Sequence, residues 1–226
     1  MTQDVMTKDG MTQDAMTKDN GKSAYRITTV EELRRVLLPP RPTTPAKLLD
    51  QLDAQAREFL AASPFLLLAT AGADGRIEVS PKGDGPGFVL VEDPRTIVIP
   101  DRPGNNLAFG LQNILHNPKV GVIALLPATG EMLRCSGKAE ISADPALLER
   151  LSARGKPALL AIRVRIDRAY FHCAKAILRS GLWDPQTWSA PRKISFGRII
   201  VAQLGLEGGA VAEIDERVGK GYRTTL

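Results

Sequence analysis

Phe65-Leu-Leu-Leu-Ala-Thr-Ala71-Gly-Ala-Asp-Gly75-Arg-Ile-Glu-Val-Ser80 is the stretch whose reading decides the fold class. Phe65–Ala71 is a short continuous apolar run, Ala73-Asp74-Gly75 is a turn, and Arg76–Ser80 alternates apolar with polar. An apolar run, a tight turn and an alternating run read as two neighbouring strands. Downstream, Phe88–Val91, Thr96–Ile99, Val120–Leu126, Met132–Ile141 and Leu159–Ile166 read the same way, with Glu92-Asp93-Pro94 and Thr129-Gly130 in turns between them. Six or seven short strands with tight turns predict an antiparallel barrel, since closure removes exposed edges. Two helical insertions interrupt the strands: Asn105–His116, and a short helix from Asp144-Pro145 through Leu151. Ile194–Leu204 reads either as a strand or as an interface arm.

Upstream the period changes. Thr29 and Glu32 have capping-box spacing, and Pro39-Pro40 stops whatever Val30–Leu38 forms. Thr44 before Pro45 predicts a second helix start. Leu48, Leu49, Leu52, Ala56, Phe59 and Leu60 then recur at helical spacing until Ser63-Pro64, giving a stripe expected to face the core. The first twenty residues repeat Met-Thr-Gln/Lys-Asp every five residues. That period matches neither a helix face nor a strand face, and the segment is expected to be a disordered tail.

A chain of 226 residues is one domain, or one domain with appendages, and buries a core without staples. Cys135 and Cys173 show no CxxC and no metal-type spacing with His116 or His172, so they read as reduced structural thiols in a reducing cytoplasm. No metal site is expected. The net charge of +5 is spread along the chain with no dense run, which argues against a nucleic-acid surface and leaves anionic small molecules or plain solubility as its use. No stretch approaches the ~18 apolar residues of a membrane span, and the polar N-terminus lacks the apolar core of a secretory signal. No membrane association is expected.

Three clusters carry the chemistry. Ile99-Pro-Asp101-Arg102-Pro-Gly-Asn105-Asn106 leaves a strand, turns and enters a helix. Strand–turn–helix favours anions because backbone N–H groups and the positive helix end point the same way. Arg102 adds a bidentate donor, and Asn105 or Asn106 can cap the helix or donate to a phosphate. The same residues also read as an ordinary turn with an Asn cap and a solvated arginine. Ser80-Pro-Lys82-Gly-Asp84 ends a strand in a short loop whose glycines allow close backbone approach. Ser80 and Lys82, two apart, face one side of extended chain, where they suit a phosphate or a ring edge; a polar hairpin turn is the alternative. In His172–Trp183, Lys175, Arg179 and Trp183 are four apart and share one face if the segment is helical. Cations beside an indole hold an anion and stack on a ring, or form a solvated basic face. His172 and Cys173 are adjacent and diverge, which argues against a catalytic dyad. His116, in the last turn of its helix, reads as a partner for the helix dipole.

These clusters occur in one order, separated by short strands. With Ser63-Pro64-Phe65, Pro86-Gly87-Phe88, Asn113-Ile114, Asn117-Pro118, Leu133-Arg134 and Gly137-Lys138-Ala139 they carry a resemblance. From about Leu48 to Trp188 the chain resembles the FMN-binding split-barrel superfamily named for pyridoxamine 5′-phosphate oxidase, within it a bacterial subgroup. The resemblance implies a mainly β (α+β) fold, an antiparallel split β-barrel with flanking helices. It divides the chain into a tail at 1–22, N-terminal helices packing on the barrel at 23–62, the FMN-binding barrel at 63–188, and a C-terminal extension at 189–226 with a dimer arm as one use.

The resemblance also implies a homodimer with FMN in a groove between two barrels. By that likeness Lys82 lies on the strand under the flavin, while Arg102, Asn105 and Asn106 take the phosphate. Ser80 contacts phosphate or ring, and Lys175, Arg179 and Trp183 reach the site late in the chain, from the partner subunit in one arrangement. The implied activity is that of a cytoplasmic FMN-dependent oxidoreductase acting on a small molecule. The alternatives are the same barrel with deazaflavin F420 or haem, for which His116 and His172 are the only histidines, and a non-catalytic flavin-binding or sensing module. Two departures stand out. The chain ends Gly219-Lys-Gly-Tyr-Arg-Thr-Thr-Leu226 without the basic, tryptophan-containing segment of the true oxidases, so pyridoxal-phosphate synthesis is not expected. The Phe109-Gly110 region also departs from the subgroup.

Overall fold

The structure, a computed structural model, describes residues 25–224, so the N-terminal repeat lies outside the described residues. The chain divides into two compact units, Met1–Pro45 and Ala46–Leu226. In the first, helix α1 (Val30–Val36) starts at the expected capping box. The Thr29 hydroxyl accepts from the Glu32 N–H at 3.2 Å, and the Glu32 carboxylate accepts from the N–H groups of Thr28 at 2.7 Å and Thr29 at 3.2 Å. Those two backbone donors hold the Glu32 carboxyl below its usual range.

The second helix does not begin at Thr44-Pro45. Thr44–Lys47 is a single 3₁₀ turn. The backbone then extends, and Leu49 and Ala169 exchange two hydrogen bonds at 2.9 and 2.7 Å. Helix α2 (Ala54–Ala62) is capped by Asp53, whose carboxylate accepts from the Ala56 N–H at 2.8 Å. Ala56, Phe59 and Leu60 are its core-facing stripe, and Phe59 meets the Phe171 ring edge-on with centroids 5.4 Å apart.

Seven strands form one antiparallel sheet: β1 (Phe65–Ala71), β2 (Ile77–Gly83), β3 (Leu90–Asp93), β4 (Thr96–Asp101), β5 (Lys119–Leu125), β6 (Met132–Ser142) and β7 (Leu160–His172), in the order β2-β1-β5-β6-β7-β4-β3. Inward alternation builds the core. Leu66 and Leu68 on β1 pack with Val120, Val122 and Ala124 on β5, Leu133 and Cys135 on β6, and Ile162, Val164 and Ile166 on β7. In β4 the whole run Ile97–Pro100 is buried. Ile97 and Ile99 enter the main core, while Val98 faces a second cluster built on helix α4 (Pro145–Arg150) with Leu147, Leu151, Ala158 and Ala161. A strand covered on both faces needs no polar alternation.

Strand β2 runs three residues further than its alternation predicted, so Ser80-Pro-Lys82-Gly lies on a strand rather than in a loop. Pro81 is tolerated there because β2 is an edge paired only with β1, leaving no ladder bond for proline to lose. The sheet also curls. β2 and β4 stand first and sixth in the order, yet Lys82 of β2 forms an ion pair with Asp101 of β4. Just beyond both strands, Arg102 Nε lies 2.8 Å from Asp84 Oδ2. Side chains, not a backbone ladder, span this gap, and the gap is the split of the barrel.

Three further elements differ from expectation. Helix α3 is Phe109–His116, not Asn105–His116, because Asn106 and Ala108 adopt left-handed φ values of 59° and 54° that keep the chain out of a helix. Strand β7 continues to His172, and helix α5 (Lys175–Ser180) stops at Gly181 with φ 60°, so Trp183 shares no helix face with Lys175 and Arg179. Ile194–Leu204 is not a strand. It holds helix α6 (Phe196–Leu204), followed by α7 (Ala210–Thr224). The Asp215 carboxylate ties the pair together, accepting from Ser195 Oγ at 2.6 Å and from the Gly197 N–H at 2.8 Å, and these donors keep it below its usual range. Among the described residues, no helix is long and apolar enough to cross a membrane.

Candidate functional site

Beside the split lies a cleft of about 690 Å³. One wall is β2, the other is the end of β4 with the 102–108 loop and the first turn of α3, and Leu68, Leu160 and Ile162 line it more deeply. Edge strand β2 is inverted relative to an ordinary amphipathic strand: Glu78, Ser80 and Lys82 are half-buried, whereas Ile77, Val79 and Pro81 are exposed. Period-2 geometry thus directs a hydroxyl and an ammonium into the cleft together, as expected for Ser80 and Lys82.

Each cation at the split has a fixed partner. Lys82 pairs with Asp101. Arg102 donates Nε to Asp84 and Nη2 to the Leu151 carbonyl at 2.7 Å. Two of the guanidinium's five N–H donors are therefore engaged, which fixes its plane and leaves the others available. Asp84 and Asp101 had no role in the sequence reading, although each lay inside a quoted cluster. Each pairs with one of the two cations across the split.

Asn105 and Asn106 lie in the cleft wall but do not cap α3. The Asn105 side-chain oxygen accepts from the Leu107 N–H at 3.1 Å, a local turn contact two residues on. Among the described residues, Asn106 makes no side-chain hydrogen bond. The N-cap position of α3 is Ala108, which offers no side-chain acceptor, so the first-turn N–H groups lack a cap. Gly110, flagged as a departure, has a structural use. A Cβ there would lie 3.2 Å from Ser80 Oγ and 3.6 Å from Thr70 Oγ1, so glycine lets α3 seat against β1 and β2. Asn113 fixes that seat by donating Nδ2 to the buried Thr70 hydroxyl at 3.1 Å.

Ser80, Lys82, Arg102, Asn105 and Asn106 are thus brought together; Lys175, Arg179 and Trp183 are not joined to them within one chain. Leu160 of β7 pairs with Asp101 beside the cleft, whereas His172 ends the strand twelve residues on. That is roughly 40 Å along the strand at ~3.3 Å per residue. Beyond that end, Trp183 donates Nε1 to the Thr129 carbonyl at 2.9 Å. Neither histidine lines the cleft. His116 Nδ1 lies 2.8 Å from the Gln112 carbonyl in the last turn of α3, in keeping with the dipole-partner reading. The thiols differ from each other: Cys135 is buried and its pKa is pushed up to about 12 by burial, but Cys173 is exposed rather than structural.

Residues 52–173, more than half of the chain, match the family described as Pyridoxamine 5′-phosphate oxidase. No curated protein matches the chain in sequence. Among solved structures, HupZ of Group A Streptococcus is similar at 17% identity with a TM-score of 0.44, over 53% of this chain and 93% of that one. A Clostridium acetobutylicum protein related to general stress protein 26, of the pyridoxinephosphate oxidase family, shares 15% identity with a TM-score of 0.42, over 53% and 86%. An FMN-binding protein of Syntrophomonas wolfei shares 11% with a TM-score of 0.39, over 51% and 86%.

Proposed function

Because the chain belongs to the pyridoxamine 5′-phosphate oxidase family, we propose that it binds FMN in this cleft and acts as an FMN-dependent oxidoreductase on a small molecule. One observation carries the reading: Arg102, the two asparagines and an uncapped helix start converge at one end of a cleft whose other wall presents Ser80 and Lys82. The cleft's volume falls within the ~300–1,000 Å³ of small-molecule sites. Unused guanidinium, carboxamide and first-turn N–H donors suit a phosphate dianion. Ser80 and Lys82 line the wall that the flavin ring would face. When bound, the flavin supplies the hydride or electron transfer, and the protein supplies binding, orientation and electrostatics. Asp84 and the Leu151 carbonyl hold Arg102 in place before any ligand arrives, which lowers the ordering cost of binding. Within one chain neither histidine lines the cleft, so a haem there would need its axial ligand from another residue type or from the partner subunit.

The homodimer belongs to the same proposal. Val79, Leu107, Phe109 and Leu159 line the cleft and are each half exposed or more. A second copy seated there would bury them and roof a shallow site. It is also the route by which Lys175, Arg179 and Trp183 would reach the flavin. A stable monomer that retains FMN, seen by solution mass measurement, would overturn the dimer.

Arg102→Ala tests the cofactor site. A charge-assisted hydrogen bond contributes about 1.5–3 kcal/mol, so FMN affinity should fall roughly 10- to 100-fold while the far-UV spectrum is kept. Unchanged FMN affinity in that variant would remove the cleft from consideration.

A further inference from the structure

On the other side of the Asp84–Arg102 pair lies a second cleft, of about 710 Å³, bounded by α2, the 84–91 segment and residues 150–154. Four arginines line it, Arg57, Arg102, Arg150 and Arg154, and its single acid, Asp84, is consumed by Arg102. Among the described residues, Arg57, Arg150 and Arg154 make no ion pair and no side-chain hydrogen bond. Arg150 acts only at a distance on Glu92, whose carboxylate is already held by Arg163. Three guanidinium groups without an ion pair thus line one concavity, and a bound anion there would find donors not committed to a neighbouring carboxylate.

Arg154 adds a second signal. It sits at φ 52° before Gly155 at φ 73°, in a turn closed by two hydrogen bonds between Ala153 and Lys156. Glycine or asparagine fits that left-handed position better. Keeping arginine there, at a backbone cost, places a guanidinium on the wall of the cleft. The remaining lining includes Ala61, Phe88 and Leu151, an apolar surface for a ligand's body.

We propose that this cleft is a second anion site, for a small molecule carrying two or more phosphate or carboxylate groups. Planar guanidinium forks bind either group in bidentate fashion. The site does not depend on the flavin reading, because Arg57, Arg150 and Arg154 lie outside the first cleft.

Titration calorimetry of the full chain at low ionic strength, with inorganic pyrophosphate and with citrate, tests the proposal. The variants are Arg57→Ala and Arg150→Ala, both exposed helix positions where alanine preserves the helix, and Arg154→Gly, which removes the guanidinium and suits the turn. The expected result is one-to-one binding of at least one probe, weakened about tenfold or more by each variant, with FMN affinity unchanged. Pyrophosphate alone marks a phosphate ligand, citrate alone a polycarboxylate, and both the shared chemistry. The proposal is overturned if neither probe binds, if the variants bind as the parent does, or if FMN displaces the probe one for one. Loss of the flavin reading would look different: no FMN binding in any protein, with pyrophosphate or citrate binding still dependent on the three arginines.

Discussion

Asp84→Ala, Arg102→Ala and the double variant measure how the split of the barrel is held. An exposed ion pair couples by about 0.2–1 kcal/mol, whereas removing one partner of a fully buried pair costs about 3–5 kcal/mol. Arg102 keeps 24% of its side chain exposed and Asp84 11%, with Nε and Oδ2 2.8 Å apart. The pair therefore lies between the two limits, and a coupling of about 1–2 kcal/mol is expected. In a chain of this size each kcal/mol moves the melting temperature by about 2–4 °C, so loss of the coupling alone should lower it by roughly 2–8 °C, and Asp84→Ala also gives up the bond from the Gly85 N–H at 3.0 Å. Arg102→Ala also deprives the Leu151 carbonyl of its donor. That loss is the same with or without Asp84, so the cycle cancels it. Urea unfolding followed by circular dichroism at neutral pH, at low and at high salt, reads the coupling. A half-buried pair is screened less than a surface pair, so most of the coupling should survive salt. A coupling indistinguishable from zero would refute this clamp and leave the curl of the sheet to the Lys82–Asp101 pair and to core packing.

Two further expectations are independent of the cleft. Ellman's reagent should titrate one thiol quickly in the native protein, the exposed Cys173, and the second only after denaturation, since burial pushes the Cys135 pKa up to about 12; two fast thiols would contradict the packing of β6. At the sheet surface, the bidentate hydrogen bonds from Arg163, at 2.8 and 3.0 Å, hold the Glu92 carboxyl below its usual range. A carboxyl whose pKa is lowered on folding contributes stability that is fully present above its unfolded value of about 4.5 and is lost as pH falls through the folded value. Glu92→Gln should therefore cost a few tenths to about 1 kcal/mol at neutral pH, because both side chains keep solvent contact. The gap from the parent should narrow steadily below about pH 4.5, and a gap that widened on acidification would reverse the assignment.

The strands were legible because short apolar or alternating runs stand between turn residues. Phe65–Ala71 reads in sequence as a continuous apolar run bounded by turn signals, and the alternation of buried Leu66 and Leu68 with half-buried Leu67 and Ala69 is visible only in the structure. The error at β2 came from Pro81, which marks a break everywhere except on an edge, and edges are a property of the assembled sheet. The false start at Thr44-Pro45 had correct cap chemistry in the wrong place. Asp53 is the working cap, and Leu49 is drawn into extended pairing by Ala169, 120 residues away. In Ile194–Leu204 the run Ile199-Ile200-Val201 suits a strand locally, and the helix is settled by the Ser195 cap and its bond to Asp215. At the candidate site, residue type and spacing singled out Ser80, Lys82, Arg102, Asn105 and Asn106 with ordinary-turn readings left open, and the structure places all five along one cleft. Their partners Asp84 and Asp101 were not, because those contacts exist only once β2 and β4, first and sixth in the sheet, curl toward each other.

The most direct test of the central claim is a titration of the purified full chain with FMN. It should be followed by visible absorption and flavin fluorescence, with mass identification of any cofactor released on denaturation. Saturable binding of one FMN per chain, with Arg102→Ala weakened about tenfold or more, is the predicted result. A chain that fails to take up FMN, or that releases a cofactor with the mass of a deazaflavin, would contradict the assignment.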